Sequence, residues 1–435
     1  MSSRLIIGIL ASFLVLNSCI HIENSYSVLP PGPWRGVLKL PLSETPSELQ
    51  TSEYKEFEQA KHYRELPFNF EVVYSTPDSF HIEIINGTER IIVTDIQHGI
   101  DRRTAKDTLI INFPAYDTYI KATYEENFLE GYWQVNYKDN YRIPFIAFQG
   151  QKHRFSKSTE LADTQINGDW KTTFDYNKED PYEAIGVFEQ KGDKLSGTFK
   201  TETGDYRFLD GTVQGKKFFL SCFDGSHAFL FTGKKTKEDE IVGKFYSGNH
   251  YESDWIAIPK SAKDELGNPY DLTKATTIES IDFEFKNSEG KMIKLTNENY
   301  NGKPKLINIM GTWCPNCRDE TDFLKKNYKK IQKNNIEVLS ICFERYKDEG
   351  KSLAAIQRYK DHMEVPWEML YGGYANKKEA AEKVPFIEHV LSYPTLLFVD
   401  KNNKIQHIHT GFNGPATAEF QNFETEFYET LNTIN

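Results

Sequence analysis

From residue 32 to about residue 260 the chain alternates apolar and polar side chains. Stretches such as Phe68-Asn69-Phe70-Glu71-Val72 and Lys217-Phe218-Phe219-Leu220 carry the alternation, and Gly, Asn and Asp separate them. Successive side chains of a strand point to opposite faces, so the pattern predicts a run of antiparallel strands. A set of motifs recurs within the run. Gly32-Pro33-Trp34 opens one copy and Gly168-Asp169-Trp170 the other. Phe113-Pro114-Ala115-Tyr116-Asp117 pairs with Leu220-Ser221-Cys222-Phe223-Asp224, Gly131-Tyr132-Trp133 with Gly243-Lys244-Phe245, and Phe145-Ile146-Ala147 with Trp255-Ile256-Ala257. The order is kept, which predicts two tandem β-meander units, residues 32–150 and 165–260. Each is expected to be a closed or nearly closed barrel, because closure removes exposed strand edges. The first copy carries an extra polar stretch at 43–63, read as a loop or short helix.

Residues 261–276 are polar and read as a linker. Beyond them the period changes. Apolar alternation at 281–285 and 292–295 around Asn287-Ser288-Glu289-Gly290 predicts a hairpin. Residues 305–309 and 336–342 read as buried strands, 314–331 and 352–363 as helices, and 395–399 with 405–409 as a final hairpin before a last helix at 420–431. Strands alternating with helices predict an α/β sandwich over residues 277–435, behind an all-β N-terminal region.

The N-terminus changes the picture of where this protein works. Arg4 precedes an apolar run from Leu5 to Leu16. That length suits a signal-peptide core and falls short of the roughly 20 residues that span a bilayer. The run ends in Leu16-Asn17-Ser18-Cys19, which resembles a bacterial lipobox. It implies removal of residues 1–18, lipid on Cys19 and a tether over 19–31, anchored rather than spanning. Ile20 follows the Cys, so no Asp retention signal is present, and the resemblance points to a periplasm-facing, outer-membrane location. The formal net charge of −11 argues against nucleic acid, which would need a basic stripe. Aromatics are 14% of residues, rich in Phe and Tyr, in keeping with strands.

The chain has five cysteines. Cys19 is assigned to lipid, Cys222 and Cys342 stand alone, and Cys314 and Cys317 form a vicinal pair. One such pair in an exported chain points to redox chemistry or half of a metal site, not a disulfide scaffold. Gly311-Thr312-Trp313-Cys314-Pro315-Asn316-Cys317 sits where a strand should pass into a helix. A thiolate is the attacking species, and a helix N-terminus stabilises it with unpaired N–H groups and partial positive charge. Cys317 follows about one turn later, close enough to close a disulfide. Pro315 costs little there, because its missing N–H would be unpaired anyway.

The segment from residue 283 to the C-terminus resembles the TlpA/ResA-type thiol–disulfide oxidoreductases of the thioredoxin superfamily. The resemblance rests on the hairpin, on Ile307-Asn308-Ile309-Met310-Gly311-Thr312-Trp313-Cys314, and on Ser392-Tyr393-Pro394-Thr395 before a strand. It implies a cis Pro394 packed against the reactive Cys314, and substrate docking by Trp313, Pro394 and the backbone of Tyr393 as an added strand. It also implies a carboxylate three residues after the second cysteine, which is Glu320. Cys317 and Glu320 share a helix face, and a half-buried Glu could exchange protons with Cys317. Thioredoxins proper carry an Asp where this chain has Asn308. One departure stands out: this branch ends its dipeptide in Pro, whereas here the order is Pro315-Asn316, and the dipeptide helps set the redox potential.

The expected activity is reduction of protein disulfides, without a cofactor, with a membrane electron donor implied by the resemblance. A second reading makes the barrels a ligand- or partner-binding module with an auxiliary redox domain. The Gly-x-Trp openings look like those of lipocalin-type barrels, although both Trp residues are expected as core packing. A peroxiredoxin-type peroxidase would want a Pro-x-x-x-Thr-x-x-Cys loop, which is absent. His407 and His409 alternate on the last hairpin and could suggest copper, but relatives that bind it space the Cys pair more widely, so no metal is assigned. Cys222 and Cys342 read as core.

Overall fold

The computed structural model describes residues 26, 28–41, 63–155, 160–236 and 239–434. Cys19, the signal-like run and all of the polar 43–63 stretch except Tyr63 lie outside them. Among the described residues no helix is long and apolar enough to cross a membrane.

The first sheet has nine strands: β1 (Gly32–Pro41), β2 (Tyr63–Thr76), β3 (Ser79–Asn86), β4 (Glu89–Val93), β5 (Ile96–Asp101), β6 (Lys106–Phe113), β7 (Thr118–Glu125), β8 (Phe128–Val135) and β9 (Arg142–Gln149). Its order is β4-β3-β2-β1-β9-β8-β7-β6-β5, so the first and last long strands pair and the sheet curls. Among the described residues the seam between β4 and β5 stays unpaired. Val28 and Leu29, expected as the end of a tether, are buried in its core, and Tyr74 donates to the Leu29 carbonyl at 3.0 Å.

The second sheet also has nine: β10 (Gly168–Phe174), β11 (Tyr182–Lys191), β12 (Lys194–Thr201), β13 (Gly204–Asp205), β14 (Leu209–Gln214), β15 (Lys217–Phe223), β16 (Ala228–Lys235), β17 (Ile241–Ser247) and β18 (Tyr251–Pro259). Here β12 pairs with β11 along its length and with β14 through residues 194–197, which closes the barrel. Its interior is filled by Phe174, Phe199, Phe231, Phe245 and Trp255, with Phe231 stacked on Phe245 at 4.3 Å between centroids.

The two sheets share their opening. Trp34 Nε1 donates to the Pro30 carbonyl at 3.1 Å, and Trp170 Nε1 to the Ile166 carbonyl at 2.8 Å. β1–β9 and β10–β18 are matching first-to-last pairs. One motif match needs correcting. Phe113 ends β6 and a 3₁₀ turn covers Pro114–Tyr116, whereas Leu220 to Phe223 still belong to β15. The counterpart of Phe113 is therefore Phe223, three positions on from the residue the sequence pattern paired with it.

The third sheet runs β20-β19-β23-β22-β21-β24-β25. Its strands are β19 (Glu284–Asn287), β20 (Met292–Lys294), β21 (Lys305–Met310), β22 (Glu337–Glu344), β23 (Glu368–Tyr374), β24 (Thr395–Val399) and β25 (Ile405–Thr410). β21, β22 and β23 are parallel, and β24 runs antiparallel to β21. The helices are α1 (Pro315–Lys333), α2 (Glu349–His362), α3 (Lys377–Lys383) and α4 (Glu419–Thr433). β23 and α3 are additions to the predicted elements: Gly372-Gly373 interrupts the apolar run of β23, and α3 is short and polar, burying Ala380 alone. Residues 261–276 do not hang free: Thr273 is buried and bonds Thr410, Thr410 N donates to the Pro269 carbonyl, and Ala275 bridges Ile387.

The cores divide unevenly. The second sheet encloses its own cluster. The first sheet and the α/β region share one continuous cluster. Phe223, at the end of β15, leaves its own sheet for that shared core, with its ring 4.5 Å from Phe68 and 5.4 Å from Trp133.

Candidate active site

β21 is fully buried and apolar apart from Lys305 and Asn308, and it delivers the chain to the sheet edge with Gly311-Thr312-Trp313 as the turn. α1 then starts with Pro315 at its first position and Cys314 as its cap. The cap is a thiol instead of a hydroxyl, and it plays the same part: Cys317 N–H donates to Cys314 Sγ at 3.3 Å. A backbone donor thus faces the sulfur that must carry charge in attack. Cys314 Sγ also lies 3.4 Å from the Tyr393 carbonyl, and the Tyr393-Pro394 peptide is cis. Trp313 packs edge-on to Tyr393, with centroids 5.7 Å apart. The residues named from sequence as Cys314, Cys317, Glu320, Trp313, Tyr393 and Pro394 therefore converge on one corner of the third sheet.

Both cysteines are free thiols. Cys314 is 7% exposed and Cys317 fully buried. Burial pushes the Cys317 thiol well above its ordinary value, and the neighbouring Cys314 sulfur adds to it. Glu320 is fully buried too, and among the described residues neither carboxyl oxygen has a hydrogen-bond partner. Burial holds its carboxyl well above the usual range, and charge on Cys314 raises it further. Asn308, on β21, is likewise buried, and its amide has no hydrogen-bond partner among the described residues. Beneath the active loop, Glu344 accepts Thr312 N at 3.1 Å and Thr312 Oγ1 at 2.7 Å. Burial pushes Glu344 up to about 7 against the pull of those bonds.

Sequence reasoning missed the other half of the site, which the second sheet supplies. Arg207 is 4% exposed and reaches three carboxylates. It bonds Asp319 on α1, donates to Glu89 of the first sheet at 2.7 Å and lies 3.6 Å from Asp224. Burial works against its charge, and the three carboxylates outweigh it, holding the guanidinium well above its ordinary value. Asn316 Nδ2 donates to the Phe412 carbonyl at 3.1 Å and the Asp205 carbonyl at 3.4 Å. Ser226 Oγ donates to the Trp313 carbonyl at 3.0 Å. No local signal marks these residues, since their meaning comes from partners far away in the chain.

The remaining candidates fall elsewhere. Cys222 and Cys342 are buried on β15 and β22, and burial raises both thiols. His407 and His409 line a separate cavity of about 740 Å³ between the second sheet and the last hairpin and helix. His409 packs on Tyr270 and Phe423, and burial holds it down near 4. Among the described residues no group of three or more His, Cys, Asp or Glu could hold a metal ion.

Residues 279–408 match the family described as AhpC/TSA. Over 130 residues the chain is 25% identical to thiol-disulfide oxidoreductase ResA of Geobacillus thermodenitrificans, covering 30% of this chain and 66% of that protein. It is 28% identical over 130 residues to thioredoxin-like protein YneN of Bacillus subtilis, covering 30% of this chain and 68% of that one. The chain thus spans only about two thirds of the length of these relatives. Among solved structures, a thiol-disulfide oxidoreductase from Bacteroides fragilis aligns with 16% identity, 34% of this chain, 98% of its own and a TM-score of 0.26.

Proposed function

We propose that the C-terminal third is a thioredoxin-fold domain of the TlpA/ResA type, in keeping with its similarity to AhpC/TSA-family proteins and to ResA and YneN, and that the protein reduces disulfides through Cys314 and Cys317. The observation that carries the reading is the placement of Cys314 as the cap of α1, with a backbone N–H on its sulfur and Cys317 and Glu320 buried behind it. Cys314 thiolate attacks one sulfur of the substrate disulfide. The S–S bond breaks, the far sulfur leaves as a thiolate and takes a proton, and a mixed disulfide remains. That step removes the charge on Cys314 that disfavours Glu320 ionisation. Glu320 can then take the proton of Cys317, which attacks Cys314 Sγ and expels the second substrate thiolate. The substrate gains two electrons, and the protein pair is oxidised to a disulfide. A donor of two electrons, implied by the family resemblance, restores the dithiol.

The same reading places the chain in the cell envelope, exported by its first 18 residues and held by lipid on Cys19, facing the periplasm. Cys19→Ala should then move it from the membrane to the soluble envelope fraction. The packed interior of the second barrel gives no support to a ligand held inside it.

The deciding experiment is alkylation against pH, followed by a gel for trapped adducts. Cys314 should alkylate first. Cys317→Ser should accumulate mixed disulfides and Cys314→Ser none. A more reactive Cys317 would sink the mechanism.

A further inference from the structure

The dithiol does not stand on an open surface. Three loops frame Cys314, at residues 313–316, 392–393 and 411–414, and each is held by the second sheet. Besides the Asn316 and Ser226 bonds, Ser392 Oγ lies 3.5 Å from the Thr203 carbonyl, and Gly414 N donates to Asp205 Oδ2 at 2.5 Å. Gly204 has φ +148, and a Cβ there would run into the Asn316 amide, so the 203–207 turn needs glycine to come this close. The rim over which such a domain would receive a partner is therefore roofed on one side.

What remains open is a cleft. Cys314 faces a cavity of about 680 Å³ between the second sheet and the third. Past Trp313 lies a second cavity of about 540 Å³, where all three sheets meet. The two share Tyr182, Tyr206, His227, Phe229 and Trp313 as walls. Volumes of this size suit small ligands or a single extended chain, not the convex face of a folded protein.

The charges in the far cavity are one-sided. Lys138 and Arg345 line it, and among the described residues neither takes part in an ion pair. Lys138 lies over Tyr141 at 4.4 Å and Arg345 over Trp313 at 3.9 Å. Burial first, and Arg345 second, press Lys138 down to about 8. Asp175 is engaged by Lys178 and Tyr251 and Asp224 by Arg207 and His227, whereas Glu183, Glu202 and Asp205 line the nearer cavity beside Cys314, so the positive charge is confined to the far end. Lys138 is half-buried and Arg345 exposed, and no Asp or Glu lines this cavity, so its positive charge is open to an anionic group.

We propose that the paired cavity is the substrate cleft of the dithiol, and that it takes slim disulfides bearing a carboxylate, which Lys138 and Arg345 meet while the sulfur reaches Cys314. The aromatic walls cover the body of the substrate, and the roof excludes bulky ones. The shared chemistry has two sources, a small disulfide of tripeptide size and an acidic extended segment. The inference rests on the oxidoreductase reading above and deepens it.

The test uses the full-length reduced protein. Its rates with oxidised glutathione (anionic), cystamine (cationic) and hydroxyethyl disulfide (neutral) are each normalised to those of dithiothreitol. Oxidised glutathione should exceed cystamine by about tenfold or more, as expected for charge-assisted hydrogen bonds. Lys138→Ala with Arg345→Gln should bring that ratio towards one, chiefly through KM for glutathione, and Lys138→Arg should keep it. A salt series on the unmutated protein reads the same preference without any substitution, and the ratio should fall as ionic strength rises. A disulfide-linked, glutamate-rich peptide that outpaces glutathione assigns the extended segment, and the reverse assigns the small disulfide. Equal normalised rates for anionic and cationic disulfides, or no salt effect, overturn the inference and leave the oxidoreductase reading standing. No reduction of any of the disulfides overturns both.

Discussion

Trp34 and Trp170 begin two nine-stranded sheets with the same bond, yet the sheets finish differently. In the second, β12 is paired on both sides, so the barrel closes over its own aromatic core. In the first, the corresponding path is divided between β3 and β4, and the seam before β5 is left unpaired. The first sheet completes itself with outside help: Phe223 enters its core and Thr118 donates to the Gly225 carbonyl. The closed sheet can thus lend out its loops, one to its neighbour and one to the redox site. A common strand pattern sets the pairing order, and the fate of the seam decides which copy supports and which is supported.

The contrast can be broken most sharply at Arg207. Arg207→Ala leaves Asp319, Glu89 and Asp224 buried around a missing cation, and should cost about 4 kcal/mol in thermal or denaturant unfolding. Phe223→Ala comes next, at about 3 kcal/mol. Its damage should appear in the sheet that borrows the ring, as faster hydrogen exchange in β2 and β8, with β17 and β18 little changed. An equal rise in both sheets would end the idea that one copy completes the other.

A pH experiment sharpens the comparison between the helix faces of α1. Glu320 keeps its proton in the native state at pH values where the unfolded chain has released it. The native state then binds more protons, so stability falls as pH rises from the ordinary carboxylate range towards the raised value. Glu320→Gln should flatten that fall, matching the parent in acid and exceeding it at neutral pH and above. Unchanged slopes in denaturant titrations would deny the burial of the carboxyl. The smallest effect is the matched one: Trp34→Phe and Trp170→Phe each remove one indole bond, worth about 1 kcal/mol apiece in unfolding. Unequal losses would separate the two openings.

How much of this could be read from the residues alone follows from distance along the chain. The strands of both sheets and the start of α1 were legible, because period-two alternation and a Cys-Pro-Asn-Cys run after an apolar strand are local. Pro394 was legible through its family resemblance. The Phe113 match slipped because two turns of different form, Pro114–Tyr116 and the Asp224 turn, were read as one. Glu320 was expected half-buried and is buried completely, and the open seam and the grip of Arg207 were not legible. Each depends on packing among residues such as 89, 224 and 319, which no window on the sequence places together.

Asn316 carries a consequence for anyone who would exchange parts between such proteins. In a free-standing thioredoxin-fold domain the two residues between the cysteines are a tuning position, open to replacement. Here the second of them is a fastener, seated between the carbonyls of Asp205 and Phe412 and against Gly204. Grafting a relative's dipeptide into this chain would loosen the clasp at the same stroke as it altered the chemistry. The dipeptide and the 203–207 turn make one module, and a transplant that is meant to work must carry both.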